Sequence, residues 1–467
     1  MVIPILLFLA TLLIYRRTEK YDCLIDDREI AQRTVGYKPK STFDFYWKHF
    51  RAQVLLDRKV AHGISIGVHA LTTALVYTAF GSNNVSLLTA LLYCFNPVNT
   101  QSTCWISGRG YEVSIMFLLL GLSFKHLFPL FYPLSLALGS INTVFAPLLF
   151  IFERPHWWLL LLPIVLIGAG DQIRAFKQRY KTTTPQMRKM TWKRGIIVAK
   201  TYGYYFWHCL FPTKVAMCPS YLHSYGIDDE NTERWYQPDR WMILGIGLIV
   251  LSIAGFWIVP WKLFYGFMWF MLFTAQWSNL IYINHPISER YIILPLVGVM
   301  YMLANIISVC PFGTYLAIGF VVFYLTRLWS VMEQYKDIET FWRKNAEIFP
   351  DVGLSYNQWS ISLNEAGKAG TAVDVMVEGL KTTPDDFRLN YNLANMMGCI
   401  GDPNLGLKYA RQALKNVHKN SPDSIEMWKR HIETVIENCY KRGAKKDDVV
   451  IESSNNVSVS PAMENGR

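Results

Sequence analysis

Long apolar runs separated by short polar breaks dominate the chain from its start to about residue 330. A helix needs about 20 apolar residues to cross the hydrocarbon core of a bilayer. The pattern therefore predicts an all-α, polytopic helical membrane domain of about ten to twelve spans over residues 1–330. Among its runs are VIPILLFLATLLIY, GISIGVHALTTALVYTAF, WWLLLLPIVLIGAG, WMILGIGLIVLSIAGFWIV, YIILPLVGVMYMLANIISV and YLAIGFVVFYL. We expect the first run to be a retained span, because it has no basic segment before it and no small-residue cleavage site.

From about Met332 the pattern changes, because charged residues become frequent and apolar residues recur at helical spacing. Gly367 and Gly401 are 34 residues apart, as are Pro350 and Pro384. Small and large residues recur at matching positions of the two copies, a pattern typical of tetratricopeptide repeats. It predicts a short tetratricopeptide-repeat α-solenoid with a polar capping helix over residues 331–442, and a disordered polar tail over 443–467.

Composition supports a membrane protein, since only 17% of residues are charged against about 25% in soluble domains. The net charge of +11 lies in the loops. Eight basic residues and one acid lie between Asp171 and Arg194, which favours a cytoplasmic loop, with a surface for lipid phosphates as the alternative. We expect the bilayer, and no nucleic acid, as a partner. The eight cysteines have no paired spacing, which argues against a metal cage and a disulfide framework.

Three polar clusters interrupt the apolar part, where polar residues are costly and therefore informative. LIDDREIAQR contains Asp26, Asp27 and Arg28, NPVNTQSTCWISGRG contains Arg109, and HPISERYIILP contains Glu289 and Arg290. Each cluster alone has a simple explanation, such as solvated loop charges, an arginine that snorkels or an interfacial ion pair. Together they are compatible with one site, because a carboxylate can act as a general base and arginine binds phosphate with two hydrogen bonds.

Two histidines, His62 and His69, are seven residues apart and so lie on one face of a predicted helix. Hydrogen bonding inside the bundle is favoured over metal ligation for both. We expect no metal site.

The chain also resembles a known family over nearly its whole length. The segments DDREI, YKPKSTFDFY, VAHGISIGVHALTTALVY, NPVNTQSTCWISGRGYEVS, YYFWHCLFPTKVAMCPSY and SERYIILPLVG occur in this order. They are similar to segments of the transmembrane and tetratricopeptide-repeat proteins, which resemble O-mannosyltransferases of the GT-C class. The resemblance implies a glycosyltransferase with a polyprenyl-phosphate-linked, mannose-like sugar as donor and a Ser or Thr hydroxyl of a protein as acceptor.

The resemblance further implies that Asp26 and Asp27 are catalytic. We expect one of them to be the base, and Arg109 and Arg290, with Arg28, to bind the donor phosphate. Glu289 would orient Arg290. The protein would be a multi-pass protein of the endoplasmic reticulum or of a bacterial inner membrane, with the repeats on the lumenal or periplasmic side.

The repeats have two interpretations. Asparagine amides on their concave helices can bind an extended peptide without demanding its sequence. The alternative is that the repeats only cap the membrane domain. The candidate acceptor-binding residues are Asn357, Asn364, Asn392 and Asn395.

Two other classes of function stay open. A non-catalytic scaffold or receptor would use the repeats to bind a partner, although an anchor needs only one span. A transporter is the third interpretation, although the sequence has no paired broken-helix half-repeats.

Overall fold

The computed structural model describes residues 2–25, 27, 57–138, 143–152, 193–217, 236–280, 287–417 and 422–445. Within these ranges every regular element is helical, so the predicted all-α class is confirmed. The part that the sequence predicts to lie in the membrane, called the membrane part below, contains α1 (Val2–Tyr15), α2 (Arg58–Ala79), α3 (Asn84–Phe95), α4 (Thr100–Thr103), α5 (Arg109–Ser123), α6 (Phe128–Leu138), α7 (Lys193–Leu210), α8 (Arg240–Ile258), α9 (Trp261–Ala275), α10 (Ile293–Val309) and α11 (Gly313–Met332). The C-terminal part contains α12 (Ile338–Ile348), α13 (Gly353–Glu365), α14 (Ala369–Thr382), α15 (Phe387–Cys399), α16 (Pro403–Asn416) and α17 (Pro422–Lys441).

Three of the described helices are long and apolar enough to cross a membrane: α2, α8, and α11 with the turn that follows it. α2 is largely surrounded by other helices, whereas only a small share of the residues of α8 and α11 is buried. Ile243 and Trp257 on α8, for example, are 70% and 76% exposed. Two further apolar helices, α3 and α10, are shorter. The count of ten to twelve spans stays a prediction.

α7 and α8 lie in close contact because glycines face the neighbouring backbone. A Cβ atom added to Gly245 would overlap the carbonyl group of Ala199, and one added to Gly203 would overlap that of Trp241. Small residues allow this approach between apolar helices. Asp239 stabilises the start of α8, because its carboxylate accepts hydrogen bonds from the Trp241 and Met242 amides.

The C-terminal helices follow a 34-residue spacing. α13 and α15 begin at Gly353 and Phe387, 34 residues apart, and α14 and α16 begin at Ala369 and Pro403, also 34 apart. Consecutive helices pack together, and α13 also packs on α15, and α15 on α17. Whether this array is a tetratricopeptide-repeat solenoid remains a prediction.

The membrane part and the C-terminal part share one hydrophobic core. Phe341 and Trp342 of α12 are buried in the same cluster as the membrane helices, and this cluster continues to Leu354. Polar contacts reinforce the junction, because Arg17 Nη1 lies 3.2 Å from Glu333 Oε1 and the Asp22 amide donates to the Lys336 carbonyl. The end of α1 and the start of the C-terminal part therefore lie on the same side of the molecule.

Several sequence predictions fall outside the described residues. These are the roles of Asp26 and Arg28, most of the basic loop (its residues 171–192), and most of the predicted tail (residues 446–467).

Candidate functional site

Asp27 joins the turn after α1 to the loop before α5. One carboxylate oxygen accepts hydrogen bonds from the amide (2.8 Å) and the hydroxyl of Ser107, and the other accepts from the Leu24 amide at 3.1 Å. The residue is only 1% exposed. Two of the three polar clusters of the sequence thus meet through Asp27 and Ser107.

The environment of Asp27 makes its carboxylate a stronger base than an ordinary aspartate. Burial raises its pKa, because a charged carboxylate loses its hydration, and the hydrogen bonds from Ser107 and Leu24 offset only part of that rise. A base that is to accept a hydroxyl proton near neutral pH gains from such a rise.

Gln101 joins the second polar cluster to the third. Its Oε1 accepts hydrogen bonds from the Arg290 amide (2.7 Å) and the Ser288 hydroxyl (2.8 Å), and its Nε2 donates to Glu289 at 3.3 Å. The side chain is 1% exposed. A single amide on the short helix α4 therefore holds three consecutive residues of the SERY segment.

Glu289 is buried among polar partners of its own. Its Oε1 accepts from the Ala216 amide at 3.2 Å and lies 3.5 Å from His208 Nε2. Within the described ranges no ion pair connects Glu289 to Arg290. If Glu289 orients Arg290, as the sequence suggested, it does so through Gln101 and the backbone.

Arg290 lies among aromatic rings. Its guanidinium carbon lies 5.2 Å from the centre of the Trp105 ring, 5.9 Å from that of Tyr111 and 5.1 Å from that of Tyr291. Tyr291 is in turn stacked on Trp277 at 4.1 Å. Ring faces attract a cation, and side-chain hydrogen bonds of the Arg290 guanidinium with Tyr291 and Tyr111 add to this contact.

Burial makes this arrangement unusual for a charged group. Arg290 is only 8% exposed, and no carboxylate of the described residues forms an ion pair with it. A buried charge without an opposite charge is costly. An anionic ligand would remove that cost.

A cavity of about 680 Å³ lies between the membrane part and the C-terminal helices, with Arg290 in its wall. The membrane part contributes Ile25, Trp105, Met217 and Arg290. The C-terminal part contributes Ile338, Trp342, Leu354, Asn357, Gln358, Ile361, Ser362, Glu365, Arg388, Tyr391, Asn392 and Trp428. We call this space the interdomain cavity.

The structure separates the candidate residues into two sets. Arg290, Asn357 and Asn392 line the interdomain cavity, and the Asn392 amide donates to Asn357 Oδ1 at 2.6 Å. Asn364 and Asn395 are exposed and are not among the lining residues.

Arg109 and Asp27 do not line the cavity either. The guanidinium of Arg109 donates to the Ala61 carbonyl at 3.1 Å, on α2. Asp27 lies two residues from the lining residue Ile25. The expected convergence of both arginines on one space is therefore not seen in the cavity lining.

Sequence reasoning missed two buried polar residues, Gln101 and Glu112. Glu112 accepts hydrogen bonds from Tyr93 and Ser102 and lies 2.8 Å from His69 Nδ1. An acid inside the apolar run of α5 was a usable signal for Glu112. Gln101 gave no signal, because it is one neutral polar residue among several in NTQST.

The two histidines of α2 differ in their surroundings. His69 has the bundle-facing partner that the sequence favoured, whereas neither ring nitrogen of the buried His62 has a hydrogen-bond partner among the described residues. The described residues contain no group of three or more potential metal ligands.

No known protein-family model, curated protein or solved structure matches this chain.

Proposed function

We propose that the protein is a membrane glycosyltransferase of the GT-C class. It moves a mannose-like sugar from a polyprenyl-phosphate donor to a Ser or Thr hydroxyl of a protein acceptor. The observation that carries the proposal is Arg290, a buried guanidinium without a carboxylate partner among the described residues, in the wall of the interdomain cavity. Arginine in such a setting suits a phosphate, which it binds with two parallel hydrogen bonds.

The reaction requires one bond to form as another breaks. The acceptor oxygen attacks the anomeric carbon, the bond between that carbon and the phosphate oxygen breaks, and the hydroxyl proton passes to a carboxylate. Asp27 or Asp26 is the proposed base, and Arg290 stabilises the charge on the departing lipid phosphate. Gln101 keeps Arg290 in place by holding its backbone amide.

The same proposal covers the C-terminal helices and the location of the protein. The helices form a short tetratricopeptide-repeat solenoid that presents the acceptor, and Asn357 and Asn392 are its acceptor-binding residues. The protein is a multi-pass protein of the endoplasmic reticulum or a bacterial inner membrane, with this array on the lumenal or periplasmic side. The 34-residue helix spacing and the exposed apolar faces of α8 and α11 support these points.

Kinetics with the full chain in lipid nanodiscs test the proposal. We expect transfer of radiolabelled mannose from a polyprenyl-phosphate donor to a Ser/Thr-containing protein. Arg290→Ala should raise the donor KM and lower kcat, and Arg290→Lys should be intermediate, because lysine keeps the charge but loses the two-pronged geometry. Arg343→Ala is the matched control, since Arg343 is partly exposed and pairs with Glu347 on α12. Normal kinetics in Arg290→Ala, or no transfer from any polyprenyl-phosphate sugar by the wild type, would contradict the proposal.

A further inference from the structure

Helix α13 forms one elongated wall of the interdomain cavity. The α13 residues in the lining recur at intervals of three and four, and so form one face of the helix. They are Leu354, Asn357, Gln358, Ile361, Ser362 and Glu365. Glu365 lies eleven positions after Leu354, which at about 1.5 Å per residue gives a wall about 16 Å long. An extended polypeptide rises about 3.3 Å per residue, so this wall accommodates about five residues.

The middle of this wall offers the complement of a peptide group. Asn357 and Asn392 share one hydrogen bond, which uses one amide oxygen and one amide N–H. The NH₂ group of Asn357 and the amide oxygen of Asn392 form no hydrogen bond with another described residue. A peptide backbone presents an acceptor and a donor side by side, and can therefore bind both.

The described residues that line the cavity carry more positive than negative charge. Among the described residues, two guanidinium groups, Arg290 and Arg388, line the cavity against one carboxylate, Glu365. Arg388 lies at the end formed by α15 and α17, beside Tyr391 and Trp428, whose rings meet edge to face at 5.3 Å. This end therefore combines a cation with an aromatic surface, which suits an acidic segment that also carries an apolar or aromatic side chain.

From this arrangement we infer that the interdomain cavity binds an extended, acidic polypeptide segment of about five residues. Its backbone lies on Asn357 and Asn392, and a side-chain carboxylate lies at Arg388. The inference rests on the proposed function, whose acceptor it describes, but it concerns binding and not transfer.

Equilibrium binding without donor tests it. Fluorescein-labelled hexapeptides containing one Thr and either two Glu or two Gln would be titrated with the full chain in nanodiscs, and Kd measured by anisotropy. We expect the Glu peptide to bind about fivefold more tightly than the Gln peptide, as one partly exposed charge pair would produce. Arg388→Gln should remove this preference with little effect on the Gln peptide, and Glu365→Gln should increase it. Asn357→Leu should weaken both peptides equally.

Arg343→Gln is the matched control, because this arginine is partly exposed on α12 and is not in the lining. Equal binding of the two peptides by the wild type, or the same preference in Arg388→Gln as in Arg343→Gln, would overturn the inference. Selective binding without any transfer would instead support the inference and contradict the proposed function.

Discussion

At the scale of single residues, buried polar groups with defined partners form a connected network. Asp27 reaches the second polar cluster through Ser107, and Gln101 connects that cluster to Glu289 and Arg290. Buried polar groups need such partners, because an unmet hydrogen bond costs about 1–3 kcal/mol. The network therefore fixes Asp27 and Arg290 relative to the same short segment, which runs from Gln101 to Ser107.

The first prediction concerns the pH dependence at Asp27. Burial raises the pKa of its carboxylate, so the basic form is lost as pH falls through a value above the ordinary one of about 3.9. We expect the acidic limb of kcat/KM to lie above that value. Asp27→Asn should lower kcat by about 10²- to 10⁴-fold.

Stability provides a second measurement on the same variant. A raised pKa means that folding favours the protonated form, so the contribution to stability is present at low pH and is lost as pH rises through the raised pKa. Because asparagine resembles the protonated acid, the Tm of Asp27→Asn should be less sensitive to pH above about 4 than that of the wild type. Asp374→Asn, on the exposed face of α14, serves as the control. Full activity in both Asp26→Asn and Asp27→Asn would exclude these acids from the mechanism.

At the scale of elements, glycine contacts decide how closely α7 and α8 approach. Gly245 lies against the backbone of Ala199, whereas Gly247, two residues further along the same helix, has open space where a Cβ would be. The two positions therefore form a matched pair. They separate the effect of helix propensity from the effect of packing.

The second prediction uses this pair. Gly245→Ala should destabilise the folded protein by about 1–3 kcal/mol, since the backbone must move to admit a methyl group. Gly247→Ala should be neutral or stabilising, because alanine favours the helix by about 1 kcal/mol. Thermal unfolding in nanodiscs measures both. A Tm for Gly245→Ala equal to that of Gly247→Ala would show that the close approach is not needed.

At the scale of the whole molecule, contacts between distant segments place the ends of separate helices at the same end of the molecule. Arg17 pairs with Glu333 and donates to the Trp329 carbonyl, so the ends of α1 and α11 lie together. The interdomain cavity lies at this same end, because both Ile25 and the C-terminal helices line it.

The third prediction follows from that geometry. Lys20→Cys and the native Cys399, both at exposed positions, should react with a membrane-impermeant maleimide from the same side of the membrane. The lumenal assignment predicts that both are protected in sealed microsomes and labelled after permeabilisation. Each position would be measured in a variant in which the other cysteines that are at least partly exposed, including Cys23, are changed to Ser. The buried Cys439 is kept and should stay unlabelled. Labelling of one position and protection of the other in sealed microsomes would contradict the shared orientation.

The sequence by itself determined the helical class and the location of most elements. Apolar runs and the 34-residue period are local patterns, and each depends only on the geometry of one helix or one helix pair. α13 to α16 accordingly keep the spacing that Gly367 and Gly401 indicated. The three polar clusters were also visible, because charged and amide groups stand out in apolar surroundings.

Only the tertiary structure decided which polar residues meet. Arg109 and Arg290 have the same chemistry and both lie at or just before the start of an apolar helix, yet one contacts the Ala61 carbonyl and the other lines the interdomain cavity. Asn357 and Asn392 line the cavity while Asn364 and Asn395 do not, although residues seven or three apart lie near the same face of a helix. Sequence spacing alone therefore does not separate these asparagines. Gln101 acquires its role from residues nearly 190 positions away. Such contacts depend on how helices pack against one another, and periodicity within a single helix carries no information about them.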